Sequence, residues 1–197
     1  MEKIILASAS PRRRELLTQI GISFTIQKAE KEETVTTSVP SEAVKELALQ
    51  KAREVAEKYP ADVVIGADTI VAANGQILGK PKDAEDAIQM LRMLQGGSHE
   101  VITGVAILLN NGEKLINFAE TTRVHVFPMT EEQICSYVES GEPMDKAGSY
   151  GIQGTFAAYI SGIEGDYNNV VGLPVGRLYQ EVLSAGVDLR NLLEEAI

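Results

Sequence analysis

Apolar and polar positions follow two kinds of spacing along the chain, and strand-like and helix-like stretches alternate from one end to the other. Short β-branched apolar runs, best seen at residues 62–67, are typical of strands buried on both faces. Apolar residues three and four positions apart are typical of helices that bury one face. The pattern predicts strands at residues 3–7, 23–28, 62–67, 101–109, 115–127 and 157–161, and helices at residues 11–20, 41–59, 84–95, 131–140 and from about 174. This alternation indicates the α/β class.

Capping and turn residues mark the ends of these segments. A helix N-terminus leaves backbone N–H groups unpaired, and a short polar side chain just before the helix can bind one of them. The predicted caps are Ser10, Ser41, Asp83 and Thr130, the last with Gln133 as its partner in a capping box. The two turn sequences Asn74-Gly75 and Asn110-Asn111-Gly112 predict hairpins.

The length of the chain limits the number of domains. Its 197 residues, of which 44% are hydrophobic, are enough to bury a core. The sequence contains no repeat, low-complexity tract or Gly/Ser linker that would divide it. We therefore expect residues 1–197 to form a single domain, either as one body or as two lobes that share a sheet.

Charge and composition exclude several classes of function. The formal net charge is −10, from 28 acidic and 18 basic residues, so we predict a local phosphate site and no nucleic acid polymer as a partner. The single cysteine excludes an internal disulfide and suits a reducing compartment. No stretch approaches the roughly 20 apolar residues that cross a membrane, and the first apolar run is too short for a secretion signal. We expect a cytoplasmic protein with no membrane partner.

Three consecutive arginines lie in the first turn of the first predicted helix, where they oppose the positive end of the helix dipole. An anion is therefore expected nearby. A strand, a loop of small residues and a helix N-terminus together expose N–H groups, so Ser8, Arg12 and Arg13 could bind a polyphosphate. Arg14 falls on the side of the helix that faces water. A solvated basic turn would explain the same residues.

Lys51 and Asp68 stand out by their positions. Lys51 falls on the apolar stripe of its helix, so it should point inward, where it either snorkels to the rim or neutralises a buried anion. Asp68 follows the buried strand at 62–67, near the carboxyl end of the strand, where open α/β sheets build their sites. Alternatively, Asp68 caps a turn with Thr69.

Three further segments could contact a nucleotide or its metal. The acidic run at residues 30–33 is ordinarily a solvated loop, but with Asp68 it could supply the carboxylates that Mg²⁺ uses beside waters and substrate phosphates. Lys80 lies just before a helix, which suits phosphate, although surface lysines are common there. The glycines of residues 141–154 either allow a ligand to approach or form a turn cluster. In that loop, the Gln153 amide has the donor and the acceptor needed to read a nucleobase edge.

Taken in chain order, these segments resemble the Maf family, which is named for a septum-formation phenotype. The resemblance rests on ASASPRRRELL at 7–17, KA at 51–52, GADTIV at 66–71, LGKPKD at 78–83, HEVITGVAI at 99–107, SGEPMDKAGSYGIQG at 140–154 and GDYNNVVGLP at 165–174. So many motifs in order are far more specific than one Gly-rich loop. The resemblance implies an inosine-triphosphatase-like fold, with a long mixed, twisted sheet flanked by helices and two lobes around a central cleft. It also implies a homodimer.

The resemblance further implies hydrolysis of a nucleoside triphosphate to the monophosphate and pyrophosphate. The residues that would hold the triphosphate are Ser8, Arg13, Lys51 and Lys80. Glu33 and Asp68 would hold Mg²⁺ or Mn²⁺ and position water, with Asp68 as the general base. The residues that resemble the branch acting on dTTP and UTP are Arg12, Thr69 and Gln153.

The acidic loop departs from the family pattern. It usually resembles Asp-Ile-Asp-Glu-Thr, whereas this chain has Glu30-Lys31-Glu32-Glu33-Thr34. Glu33 is retained, but Glu30 and Glu32 are longer than the aspartates they replace, so which of the three binds metal stays open.

The family name also suggests an alternative function, a nucleotide sensor that inhibits septum formation through a protein partner. The sequence argues against pure sensing, because a binder needs the cations but not an acid pair.

Overall fold

A computed structural model describes residues 2–59 and 61–193 of the chain. The strands within these residues are β1 (Glu2–Leu6), β2 (Thr25–Ile26), β3 (Ala61–Ala73), β4 (Gln76–Leu78), β5 (Ser98–Leu109), β6 (Lys114–Val126) and β7 (Ile160–Glu164). The α-helices are α1 (Pro11–Gln19), α2 (Pro40–Lys58), α3 (Ala84–Leu94), α4 (Glu131–Glu139), α5 (Tyr167–Val171) and α6 (Val175–Ser184). Short 3₁₀ helices cover Asn110–Gly112, Glu142–Asp145, Ala147–Ser149, Thr155–Tyr159 and Asn191–Leu193. In this part of the chain, no helix is both long and apolar enough to cross a membrane.

The described strands form one mixed sheet in the order β2-β1-β3-β5-β6-β7, with β4 paired to β3. β1 runs parallel to β2 and to β3, whereas the β3–β4 and β6–β7 pairs are antiparallel. Parallel neighbours need a crossover connection, and α1 and α2 lie in the two crossovers that join β1, β2 and β3. The mixed α/β sheet with flanking helices confirms this part of the predicted fold.

The chain divides into two compact units. The first unit comprises the described residues of Met1–Asp68, Thr103–Glu120 and Gly172–Ile197, and the second comprises Thr69–Ile102 and Thr121–Val171. The chain passes from one unit to the other within β3, β5 and β6, so each of these strands contributes residues to both. The assignment of residues 1–197 to a single domain stays a prediction.

In the first unit, α2 packs directly on β3 and β5. The buried residues of this core are Ile5, Ala7, Ala48, Ala52, Val55, Ala61, Val64, Ala106 and Leu108. A Cβ added at Gly66 would lie 2.2 Å from the Ala48 carbonyl oxygen, and one added at Gly104 would lie 2.2 Å from the Val44 carbonyl oxygen. Because neither position can accommodate a side chain, the helix backbone approaches the sheet closely. This contact fixes the rotation of α2 and therefore the direction of Lys51.

In the second unit, the Gly-rich loop is rooted in an aromatic cluster. The ring of Phe156, which is fully buried, lies 4.8 Å from that of Tyr150 and 5.1 Å from that of Tyr137, measured between ring centroids. Tyr137 belongs to α4, and the other two rings belong to the loop that follows it. The cluster therefore anchors residues 141–156 to α4.

Two predicted caps and one strand boundary in the first unit are wrong. Ser10 stands at the N-cap position of α1, but its side chain forms no capping hydrogen bond. α2 begins at Pro40 with Val39 at the N-cap position, not at a Ser41 cap, because the fixed φ angle of proline suits the first helical position. β2 is limited to Thr25–Ile26, although a strand was predicted over residues 23–28.

In the second unit, the capping predictions are confirmed and one strand is misplaced. Asp83 accepts the backbone N–H of Asp86 at 2.8 Å, and Thr130 forms its capping box with Gln133. The apolar run that predicted a strand at 157–161 begins instead as the 3₁₀ helix Thr155–Tyr159, and β7 starts only at Ile160.

Candidate active site

The first part of the candidate site follows the parallel pairing of β1 with β3. This pairing ends at Leu6 opposite Ile65, where the Ala7 N–H donates to the Ile65 carbonyl oxygen at 2.8 Å. Ser8 lies in the loop two residues after Leu6, and Asp68 lies on β3 three residues after Ile65, so both come beyond the carboxyl end of the parallel segment. β3 itself continues to Ala73, and Asp68 is therefore part of a strand and does not cap a turn. Ser8 and Asp68 therefore lie beyond the carboxyl ends of parallel strands, where open α/β sheets bind their ligands.

Ser8 and Arg13 form a pair in this loop. The Ser8 side chain is buried, and its Oγ accepts the Ser10 backbone N–H and the Arg13 Nη1–H, each at 3.2 Å. Arg13 Nε–H donates to the Gly172 carbonyl oxygen at 2.8 Å, which holds the guanidinium against the body of the first unit. The Ser8 hydroxyl accepts both bonds, so its own proton can be donated to a phosphate oxygen.

The three arginines differ in exposure as the helical pattern predicted. Arg12 and Arg13 are half-buried, whereas Arg14 is exposed. The pKa of the Arg13 guanidinium lies below its usual value, mainly because burial disfavours the charged form. The carboxylates of Asp68 and Glu33 raise this pKa in part, and the positive charge of Arg12 lowers it. An arginine stays protonated in any such setting. The structure thus places one fixed positive charge within the electrostatic reach of both predicted metal ligands.

Lys51 joins the two carboxylates. Its Nζ lies 2.5 Å from Asp68 Oδ1 and 3.1 Å from Glu33 Oε1. The side chains of Lys51 and Asp68 are only 15% and 16% exposed, and that of Glu33 is 49% exposed. Lys51 therefore points inward and neutralises acidic groups, which decides between the two roles that the sequence left open.

The acid pair fits a hard divalent cation. Two carboxylate oxygens from separate segments already share one cationic neighbour, the Lys51 ammonium. Mg²⁺ is commonly held by one or two carboxylates and completes its octahedral shell with waters and substrate phosphates. Among residues 2–59 and 61–193, no three His, Cys, Asp or Glu side chains are grouped to hold a metal. An ion held by Glu33 and Asp68 would thus depend on water and phosphate for its other ligands.

Three of the predicted residues belong to the second unit. Thr69 follows Asp68 on β3 and is half-buried, while Lys80 is exposed in the loop between β4 and α3. Gln153 is exposed in the Gly-rich loop. The structure thus places Ser8, Arg12, Arg13, Glu33, Lys51 and Asp68 in the first unit and Thr69, Lys80 and Gln153 in the second.

The Glu142 carboxylate lies inside the Gly-rich loop and occupies the space that a side chain at Gly154 would need. Glu142 accepts the Tyr137 hydroxyl at 3.0 Å, the Thr155 N–H at 3.0 Å and the Thr155 hydroxyl at 2.8 Å. Burial would raise the pKa of Glu142, but these hydrogen bonds, first those from Thr155, lower it overall. A Cβ at Gly154 would lie 2.0 Å from Glu142 Oε1. Glu142 therefore holds the loop backbone at Thr155, two residues after Gln153. A glutamate in a loop normally faces solvent, so the sequence did not indicate this role.

Residues 3–185 match the family model described as Maf-like protein. The chain belongs to the Maf-like family. This Maf-like protein is 55% identical to the dTTP/UTP pyrophosphatase of Agathobacter rectalis, in an alignment that covers 96% of this chain and 100% of the relative. It is 48% identical to the dTTP/UTP pyrophosphatase of Lachnoclostridium phytofermentans, covering 96% of this chain and 98% of the relative. For the dTTP/UTP pyrophosphatase of a Geobacillus species, the identity is 51%, covering 94% of this chain and 100% of the relative.

Among solved structures, the Maf-like protein is similar to the Staphylococcus aureus Ham1 protein. The TM-score is 0.47 and the sequence identity 17%, over 63% of this chain and 71% of that chain.

Proposed function

We propose that this Maf-like protein is a nucleoside triphosphate pyrophosphatase that hydrolyses dTTP and UTP to the monophosphate and pyrophosphate, with Mg²⁺ or Mn²⁺ as cofactor. The observation that carries the proposal is the Lys51 ammonium between the Asp68 and Glu33 carboxylates, in the same unit as the Ser8–Arg13 pair. Such cations suit a polyphosphate, and such an acid pair suits a metal. The three relatives described above are dTTP/UTP pyrophosphatases, which supports the same function for this chain.

The triphosphate would be held mainly by fixed positive charge. Ser8, Arg12 and Arg13 surround the start of α1, where backbone N–H groups add to the attraction for phosphate. Lys51 and Lys80 would bind further phosphate oxygens. Because Lys51 offsets the negative charge of Asp68 and Glu33, a polyanion can approach these carboxylates with less repulsion.

The reaction would be attack of water on the α-phosphorus with pyrophosphate as the leaving group. Asp68 would accept the proton of the attacking water, which requires a carboxylate within hydrogen-bond reach of that water. When bound, the divalent cation would polarise the phosphate oxygens and neutralise part of their charge. Lys51 and Lys80 would stabilise the charge that gathers on the departing pyrophosphate, so positioning and electrostatics supply most of the catalysis.

Base specificity would come from Gln153 with Thr69 and Arg12. The edge of uracil or thymine presents one N–H donor between two carbonyl acceptors. The Gln153 amide can pair with it through one acceptor and one donor, and Glu142 keeps the loop backbone in place. A site built to hydrogen-bond one edge rejects bases whose groups would leave the amide unpaired.

A substrate panel tests this function. Purified protein with Mg²⁺ and each common ribo- and deoxyribonucleoside triphosphate should release pyrophosphate fastest from UTP and dTTP. We expect kcat/KM to fall for these two nucleotides by about 10–100-fold in Gln153→Ala, with a smaller change for the others. A preference for purines would contradict the role of Gln153. Nucleotide binding without pyrophosphate release would contradict the enzyme itself and favour a sensor.

No finding favours the alternative of a septum inhibitor that acts through a protein partner. The homodimer remains a prediction from the resemblance, and the cytoplasmic location remains one from the sequence.

A further inference from the structure

One face of α2 forms hydrogen bonds with residues 30–36, which comprise the acidic loop and the two residues that follow it. Glu46, Gln50 and Glu54 are spaced four residues apart, so their side chains lie in one row along the helix. Glu46 accepts both the N–H and the hydroxyl of Thr36, at 2.9 and 2.7 Å. Gln50 exchanges two hydrogen bonds with the main chain of Thr34, at 3.1 and 2.5 Å. The loop is thus fastened to the helix at regular intervals.

Glu54 is the buried member of this row. Its side chain is 4% exposed, and its two oxygens accept the Glu30 N–H at 3.0 Å each, with the Lys31 N–H also at 3.0 Å. Lys58, one turn later on the helix, donates to it at 3.0 Å. These bonds, first that from Glu30, lower the pKa of Glu54 to about 2. A carboxylate with this many donors is a firm anchor.

The anchors bracket Glu33. Glu54 fixes the backbone at residues 30 and 31, and Gln50 fixes it at residue 34. Between these points the half-exposed Glu33 reaches Lys51, the residue that follows Gln50 on α2. The same helix therefore sets the position of the lysine and, through its anchors, that of the loop carboxylate.

We propose that Glu54 is a positioning residue that holds Glu33 beside Lys51 and Asp68 and thereby sets the affinity of the site for a divalent cation. This inference rests on the proposed function, which makes Glu33 a metal ligand. Glu54 contacts the loop main chain and acts only through it. It makes the acidic loop part of the site and not a solvated surface segment.

Glu54→Gln tests the proposal, because it keeps the shape but turns an N–H donor toward the N–H groups of the loop. We expect the amides of residues 29–35 to exchange hydrogen faster, and Mn²⁺ affinity to fall by about tenfold or more. Affinity is measured by the electron paramagnetic resonance of free Mn²⁺ with a non-hydrolysable UTP analogue present, after subtraction of the Mn²⁺ that the analogue binds without protein. At saturating Mn²⁺, kcat should stay within about threefold of wild type, because Asp68 and Lys51 are untouched.

Glu57→Gln is the matched control. Glu57 lies on the same helix and touches the same loop, but through an exposed ion pair with Lys31 at 2.8 Å. Exposed ion pairs contribute little to the free energy of folding. We therefore expect the hydrogen exchange of the loop and the Mn²⁺ affinity to match those of the wild type.

Gln50→Ala removes a second anchor and serves if Glu54→Gln does not fold. Gln50 is less buried than Glu54, so its replacement should disturb folding less. It should show the same pair of effects. Faster loop exchange with unchanged Mn²⁺ affinity would overturn the proposal, as would unchanged exchange or a wild-type protein that binds no Mn²⁺. If wild type binds Mn²⁺ but releases no pyrophosphate, the proposed hydrolysis fails while the exchange and affinity results still decide the role of Glu54.

Discussion

Asp68→Asn is expected to reduce pyrophosphate release from UTP by about 10²–10⁴-fold while leaving nucleotide affinity within about threefold of wild type. The amide keeps the size of the carboxylate but cannot accept the proton of the attacking water. It also replaces the charged partner of Lys51, which lies 2.5 Å away. Steady-state kcat and nucleotide titration calorimetry measure the two quantities separately.

Asp62→Asn makes the same chemical change on the same strand, six residues before Asp68. Its kcat should stay within about twofold of wild type, since substitutions away from a site have small effects. Near-normal turnover in Asp68→Asn would refute the assignment of the general base. Loss of nucleotide binding in that variant would show instead that Asp68 acts mainly in binding.

Lys51→Met is also expected to have a large effect. It should lower both the turnover number and the free energy of unfolding. Turnover should fall by about 10²–10³-fold, because a charge aimed at the developing phosphate charge is lost. The free energy of unfolding should fall by about 1–3 kcal/mol, because Asp68, only 16% exposed, loses its charged hydrogen-bond partner. Urea unfolding and steady-state kinetics on the same preparation measure both.

A double-mutant cycle separates the causes of that instability. Lys51→Met combined with Asp68→Asn should be more stable than the sum of the single changes predicts, because no unpaired carboxylate is then left half-buried. Lys45→Met is the control, since Lys45 lies on the same helix and pairs with Glu42 at 2.8 Å on the surface. It should change stability by less than about 1 kcal/mol and leave kcat unaltered. Strict additivity in the cycle would contradict the ion pair as the cause.

The sequence predicted those features that depend on local spacing. Lys51 lies on the apolar stripe of α2, and the helical period alone showed that it points inward. The same period separated half-buried Arg13 from exposed Arg14. The capping box of α4 was predicted because Thr130 and Gln133 act within one turn.

Features that depend on distant residues could not be predicted in this way. Nothing near Lys51 in the sequence shows that its partners are Glu33 and Asp68, because folding brings three separate segments together. Glu54 was missed for the same reason. A glutamate in a helix normally faces water, and the burial of Glu54 is favourable because the N–H groups of residues 30 and 31 and the Lys58 ammonium donate to it.

In the proposed reaction, water attacks the α-phosphorus of a pyrimidine nucleoside triphosphate. The most direct test is hydrolysis of UTP in ¹⁸O-labelled water with Mg²⁺, followed by mass spectrometry of both products. We expect the label to enter UMP and the pyrophosphate to carry none. Label in the pyrophosphate, or release of inorganic phosphate with UDP, would place the attack on another phosphorus and contradict the account.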